Sequence, residues 1–176
     1  MSSAAFAQAV AWVIAWEGGY TNDPGDPGNW TGGAIGQGAL LGTKFGISAA
    51  AYPTLDIPNL TVAEAQMLYA RDYWTPIAGD ALPPALAMVV FDGAVNSGAT
   101  QSAQWLQVVL GVATDGVIGP ETLAAVGAYA NGVGELCWEV LAQRVAANGC
   151  DPDFPTFGLG WSRRTSALAF QAAGMI

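Results

Sequence analysis

The chain has 176 residues, a formal net charge of −9, and 52% hydrophobic against 11% charged residues. That length supports one compact domain with a real core, and the composition is too apolar for a disordered chain. The acidic balance argues against nucleic acid as a partner, and the absence of histidine removes Ser-His-Asp triads, Cys-His pairs and the usual histidine zinc sites.

Residues 4–16 carry Phe6, Val10, Val13 and Ile14 at helical spacing, and Gly18–Gly19 then stop the helix. This start lacks a basic n-region and its apolar positions are periodic, so it reads as part of the fold and not as a signal peptide. Residues 20–46 are dense in Gly and Pro, with "NDPGDPGNWTGG" as consecutive turn signals. A loop this long in a compact domain is usually functional or disordered, and the anchors Trp30 and Phe45 argue that it is ordered. "LTVAEAQMLYARDYW" (60–74) opens on Thr61 with Glu64 three residues on, a capping box. A buried helix entered through Pro83–Pro84 is expected over 80–98, followed by a helix over 100–112. A tight turn and a helix with Pro120 in its first turn are expected over 115–130. Two last helices are expected over 134–147 and 161–172. Cys137 and Cys150 lie thirteen positions apart across mostly helical sequence. At about 1.5 Å per residue they sit roughly 20 Å apart, so two free thiols are expected and no disulfide. No metal site or cofactor is expected. The whole reads as a mainly α fold, a helical bundle with at most a small β-hairpin near residues 20–47.

Carboxylates, hydroxyls, tyrosines and five basic groups remain to carry chemistry: Lys44, Arg71, Arg144, Arg163 and Arg164. Glu17 closes the first helix, where the dipole disfavours a carboxylate and where Trp16 and Tyr20 are placed to shield it. Both effects raise a carboxyl pKa, which suits a general acid. An ordinary surface glutamate after a helix fits the position equally well. Asp26, nine residues on, is the candidate base that holds a water, with Asp23 as its rival. An Asp before Pro also starts turns by bonding its own backbone. Carboxyls about 6.5–9.5 Å apart imply inversion at the anomeric carbon, and a shorter gap retention. Thr31 and Thr43 are loop hydroxyls that could hold the water or make a local turn bond. Trp30, Tyr52, Tyr69, Tyr73, Trp74 and Trp161 suit either sugar stacking or core packing. Asn96 in "AVNSG" suits a substrate bond or a helix end. The set taken as substrate-binding is Tyr20, Asp23, Tyr73 and Asn96.

"EGGYTNDPGDPGNWTGG" followed by "GTKFGIS", with "LYARDYW" and "VFDGAVNSG" behind, resembles the glycoside hydrolase family 108 lysozymes. These are N-acetylmuramidases of bacteria, their phages and phage-like particles. "AQWLQVVLGVATDGVIGPETL" through "GWSRR" resembles the peptidoglycan-binding region fused behind them. Together the blocks cover about residues 5–165. The resemblance implies a lysozyme-like fold, with a catalytic region over 5–97 and a peptidoglycan-binding-like helical region over 98–172, packed as one compact unit. It implies Glu17 as the acid. The Glu-to-Asp spacing is similar to that of phage lysozymes, which places Asp26 in the aspartate role. Thr43 precedes "KFGI" and is favoured over Thr31, with "GGAIGQGALLG" inserted between them.

The expected activity is hydrolysis of the β-1,4 bond between N-acetylmuramic acid and N-acetylglucosamine, as in an endolysin that lyses the bacterial wall. A non-catalytic wall-binding or virion-structural module on the same scaffold is the competing reading, and a chitinase- or chitosanase-like enzyme a third. The "DGVIGPETL" glycines and Pro120 are explained as turn and helix start, with a direct sugar contact there as the lesser reading, and Arg163 and Arg164 as either wall contacts or a solvated helix face. The expected partner is peptidoglycan, met by a monomer with no stable membrane insertion. Without a signal peptide the chain would be made in the cytoplasm. It would then reach the wall, in the periplasm or outside the cell, through a holin-like partner, a secretion apparatus or packaging in a particle.

Overall fold

The structure, a computed structural model, describes residues 3–176. Among these residues it has seven α-helices and one β-hairpin. The helices are α1 (Ala4–Glu17), α2 (Val62–Tyr69), α3 (Pro84–Ser97), α4 (Ala99–Leu110), α5 (Pro120–Ala128), α6 (Gly132–Gly149) and α7 (Phe154–Ala173). The hairpin pairs β1 (Thr43–Lys44) with β2 (Ile47–Ser48), antiparallel, in the register Thr43↔Ser48 and Lys44↔Ile47. The mainly α architecture is the one expected. No helix of the described residues is long and apolar enough to cross a membrane.

Local signals explain several helix starts. Glu64 accepts from the Thr61 N–H and hydroxyl, and the Thr61 hydroxyl accepts from the Glu64 N–H, which closes the capping box of α2. These bonds hold the Glu64 carboxyl below its ordinary range. Pro84 and Pro120 stand in the first turns of α3 and α5, where no N–H is missed. Helix α7 begins at Phe154, seven residues before the expected start. Gly158 and Gly160 interrupt the apolar period there, while Pro155 near the first turn supports the start.

Contacts divide the chain into two units: Val10–Tyr69, and the residues up to Ala9 together with Ala70–Ile176. In the larger unit α3 is the hub. Every side chain from Ala85 to Ala94 is buried, and α3 packs on α4, α6 and α7. Phe6, Trp74 and Phe91 meet edge to face at centroid distances of 5.3–6.1 Å. Trp74 is therefore a core residue. Asp92, on α3, is fully buried. It receives Arg144 Nη1 of α6 at 2.6 Å and Arg164 Nε of α7 at 3.0 Å. Arg164 thus fits neither expectation held for it: it is an internal ion-pair partner, while Arg163 beside it is exposed. Cys137 is buried and Cys150 exposed, and both are free thiols.

The smaller unit has little regular structure. Its buried apolar residues include Val10, Val13, Ile47, Ile57 and Leu60. Its order comes largely from backbone bonds between turns.

Candidate active site

Glu17 is the last residue of α1 and is half-buried. Gly18, at φ 77°, ends the helix by turning the chain left-handed, which costs glycine little. Trp16 and Tyr20 are each 42% exposed. Trp16 lies against Trp12, centroids 5.7 Å apart, and the Tyr20 ring lies against Gly42. The turn between β1 and β2 packs on Glu17. A methyl placed on Gly46 would come 2.8 Å from Glu17 Cγ and 3.1 Å from its Oε2.

The loop before the hairpin is built on two successive Asp-Pro-Gly turns. Asp23 Oδ1 accepts from the Gly25 N–H at 2.9 Å and Asp26 Oδ1 from the Gly28 N–H at 2.8 Å. Asp26 thereby caps the short 3₁₀ turn Pro27–Asn29. Both aspartates are exposed, so each presents a carboxylate at the surface while one of its oxygens fixes the turn.

Asn29 follows and is 0% exposed. Its Nδ2 donates to the Asp23 carbonyl at 3.0 Å, and its Oδ1 accepts from the Thr43 hydroxyl at 2.8 Å. Its own carbonyl accepts from Leu41 and Gly42. A buried amide satisfied at both ends is a strong constraint, because losing either partner leaves a desolvated polar group. Asn29 therefore ties the Asp23–Asp26 turns to β1. Sequence reasoning missed it; an Asn flanked by Gly and Trp in a turn-rich stretch reads as one more turn former.

Thr43 also exchanges both backbone bonds with Thr21, at 2.8 and 2.9 Å. With its hydroxyl proton committed to Asn29, Thr43 Oγ1 can serve a water only as an acceptor. Thr31 instead holds the loop together. Its hydroxyl accepts from the Ala39 N–H, closing the inserted stretch as a turn of its own. That closure, with the Trp30↔Leu40 bridge, returns the chain to Thr43 in register. Trp30 donates its indole N–H to the Pro24 carbonyl. The expected site residues of the smaller unit are thus joined as Glu17 with the hairpin turn, and Asp23, Asp26 and Thr43 through Asn29.

Tyr73 and Asn96 belong to the larger unit. Asn96 Nδ2 donates to the Asp92 carbonyl at 2.8 Å, one turn back on α3. It also lines a cavity of about 120 Å³ with Arg144, Asn148, Asp151 and Trp161. Among the described residues no cluster of His, Cys, Asp or Glu is arranged to hold a metal.

A mainly helical scaffold with one small hairpin is a lysozyme-like fold. The family model for glycosyl hydrolase 108 matches residues 10–98, and the chain belongs to that family. Among solved structures it is similar to that of Brucella abortus SagA. The two share 34% identity and a TM-score of 0.80, over 97% of this chain and 94% of the other. No curated protein matches the chain.

Proposed function

We propose that the protein is an N-acetylmuramidase that hydrolyses the β-1,4 bond between N-acetylmuramic acid and N-acetylglucosamine in peptidoglycan. The observation that carries this reading is Glu17, half-buried at the end of α1 and packed on the Gly46 turn, in a member of a glycoside hydrolase family. Glu17 gives its proton to the glycosidic oxygen, and the C1–O bond breaks with its electron pair passing to that oxygen. A water adds at C1 and releases its proton to Asp26. Thr43 Oγ1 accepts a hydrogen bond from that water and orients it. Tyr20, Asp23, Tyr73 and Asn96 are assigned to sugar binding, and residues 98–172 to wall attachment.

Clearing of isolated peptidoglycan by wild type and by Glu17→Gln tests this. A loss of about 10²-fold or more in the variant is expected, the scale of one general-acid group. Equal clearing by both removes Glu17 from the mechanism. Because two of the five basic side chains are buried on Asp92, the surface is more acidic than the composition suggests. Encounter with an anionic wall should therefore quicken from low to moderate salt.

A further inference from the structure

The hairpin turn that packs on Glu17 has an unusual backbone. Both of its central residues, Phe45 (φ 53°) and Gly46 (φ 76°), lie in the left-handed region. A two-residue hairpin of type I′ requires this of both positions and favours Asn-Gly there. Glycine adopts it freely, whereas a bulky aromatic at the first position is strained. Something outside the turn has to hold Phe45 in place.

That partner is Tyr69, the last residue of α2. Its side chain is 1% exposed and its hydroxyl donates to the Phe45 carbonyl at 2.8 Å. The bond spans 24 positions of sequence, so it is a tertiary clamp and not part of the turn. The same hydroxyl reaches Gly46: a methyl there would come 2.5 Å from Tyr69 Oη, beside the 2.8 and 3.1 Å to Glu17 Cγ and Oε2. The clamp and the Glu17 carboxylate thus meet at one point of the backbone, and only glycine leaves room for both.

We propose that Tyr69 is a positioning residue for Glu17, acting through the strained Phe45–Gly46 turn; this rests on Glu17 being the catalytic acid. Removing the hydroxyl keeps the buried ring but releases the Phe45 carbonyl. The turn then relaxes, and the surface on which the Glu17 side chain rests moves with it. A displacement of about 1 Å at a reacting group can cost on the order of 10²-fold in rate.

The test is Tyr69→Phe assayed on soluble peptidoglycan fragments, alone and in two backgrounds. Alone, kcat should fall roughly tenfold or more while KM stays within about twofold. In the Glu17→Gln background the same change should leave the residual rate unaltered, because the group it positions is gone. In the Phe45→Asn background, where Asn-Gly holds the turn unaided, it should lower kcat by less than about twofold. An unchanged kcat in the single variant, or an equal loss in all three backgrounds, overturns the inference and leaves Glu17 as the acid. Full activity of Glu17→Gln overturns both. Should Tyr69→Phe alone not fold, the Phe45→Asn/Tyr69→Phe double variant carries the test. It must turn over within about twofold of Phe45→Asn.

Discussion

The two units each close around a fully buried polar side chain, and they do so in opposite ways. In Val10–Tyr69 that residue is Asn29, a neutral amide that joins turns 6 and 14 positions away. In the helical unit it is Asp92, a charged group that joins α3 to arginines 52 and 72 positions away. A neutral amide loses only its hydrogen bonds when a partner goes. A buried carboxylate between two guanidinium groups leaves uncompensated charge when any member goes. The contrast predicts where each unit yields: the loop unit should open piecewise, and the helical unit should hold or fail as a whole.

Replacing Asp92 is the hardest blow to that contrast. Asp92→Asn leaves Arg144 and Arg164 buried without their counter-charge and should destabilise by about 3–5 kcal/mol. Chemical denaturation should show the loss, and a drop under about 1 kcal/mol would mean that solvent reaches the triad. Asn29→Ala comes next, at roughly 1–3 kcal/mol, since it orphans the Thr43 hydroxyl and the Asp23 carbonyl. Wall clearing should fall well beyond what this instability explains, while far-ultraviolet circular dichroism stays near wild type. A parallel loss of helix signal would show that the loop unit does not yield by itself.

Acid probes the helical unit more finely. Asp115 accepts from the Val117 N–H and from Gln107 Nε2, and these bonds hold its carboxyl below the ordinary range. A group lowered by folding stabilises above its unfolded pKa, and that stabilisation is lost as pH falls through the folded value. Asp115→Asn should therefore lower the melting temperature at neutral pH, change it little in strong acid, and so flatten the acid limb of the profile. The smallest effect concerns the thiols. Burial pushes Cys137 up to about 11, so one thiol, Cys150, should react with a maleimide at neutral pH before unfolding and the second only after. Two fast thiols in the native protein would show that α6 opens around Cys137.

Where neighbours in sequence supply the signal, the structure is legible without coordinates. The Thr61–Glu64 box, Pro84 and Pro120 each mark a helix start through bonds or ring geometry spanning one turn. The explanation of "DGVIGPETL" as turn and helix start also holds. The helix start is marked locally by Pro120, while the turn is held from α4: Gln107, 1% exposed, donates to Asp115 and Thr122 and accepts from the Gly116 N–H, 8 to 15 positions away. Glu17 is visible as the end of a helix beside a long polar loop. Arg164 is not legible in this way. Its neighbours, Ser162 and Arg163, read as a solvated face, and nothing near it in sequence announces a carboxylate on α3.

Residue types and contacts within a few positions were enough to settle the number and order of the helices, though not the start of α7, together with the hairpin region, the two free thiols and the absence of histidine chemistry. It took the packed chain to establish that Asn29 binds Thr43, that Asp92 gathers two arginines, and that Tyr69 grips the Phe45 carbonyl. Those partners are separated by 14 to 72 positions. A buried polar group must be satisfied by whatever folding brings within about 3 Å, and the identity of a single residue does not specify what that will be.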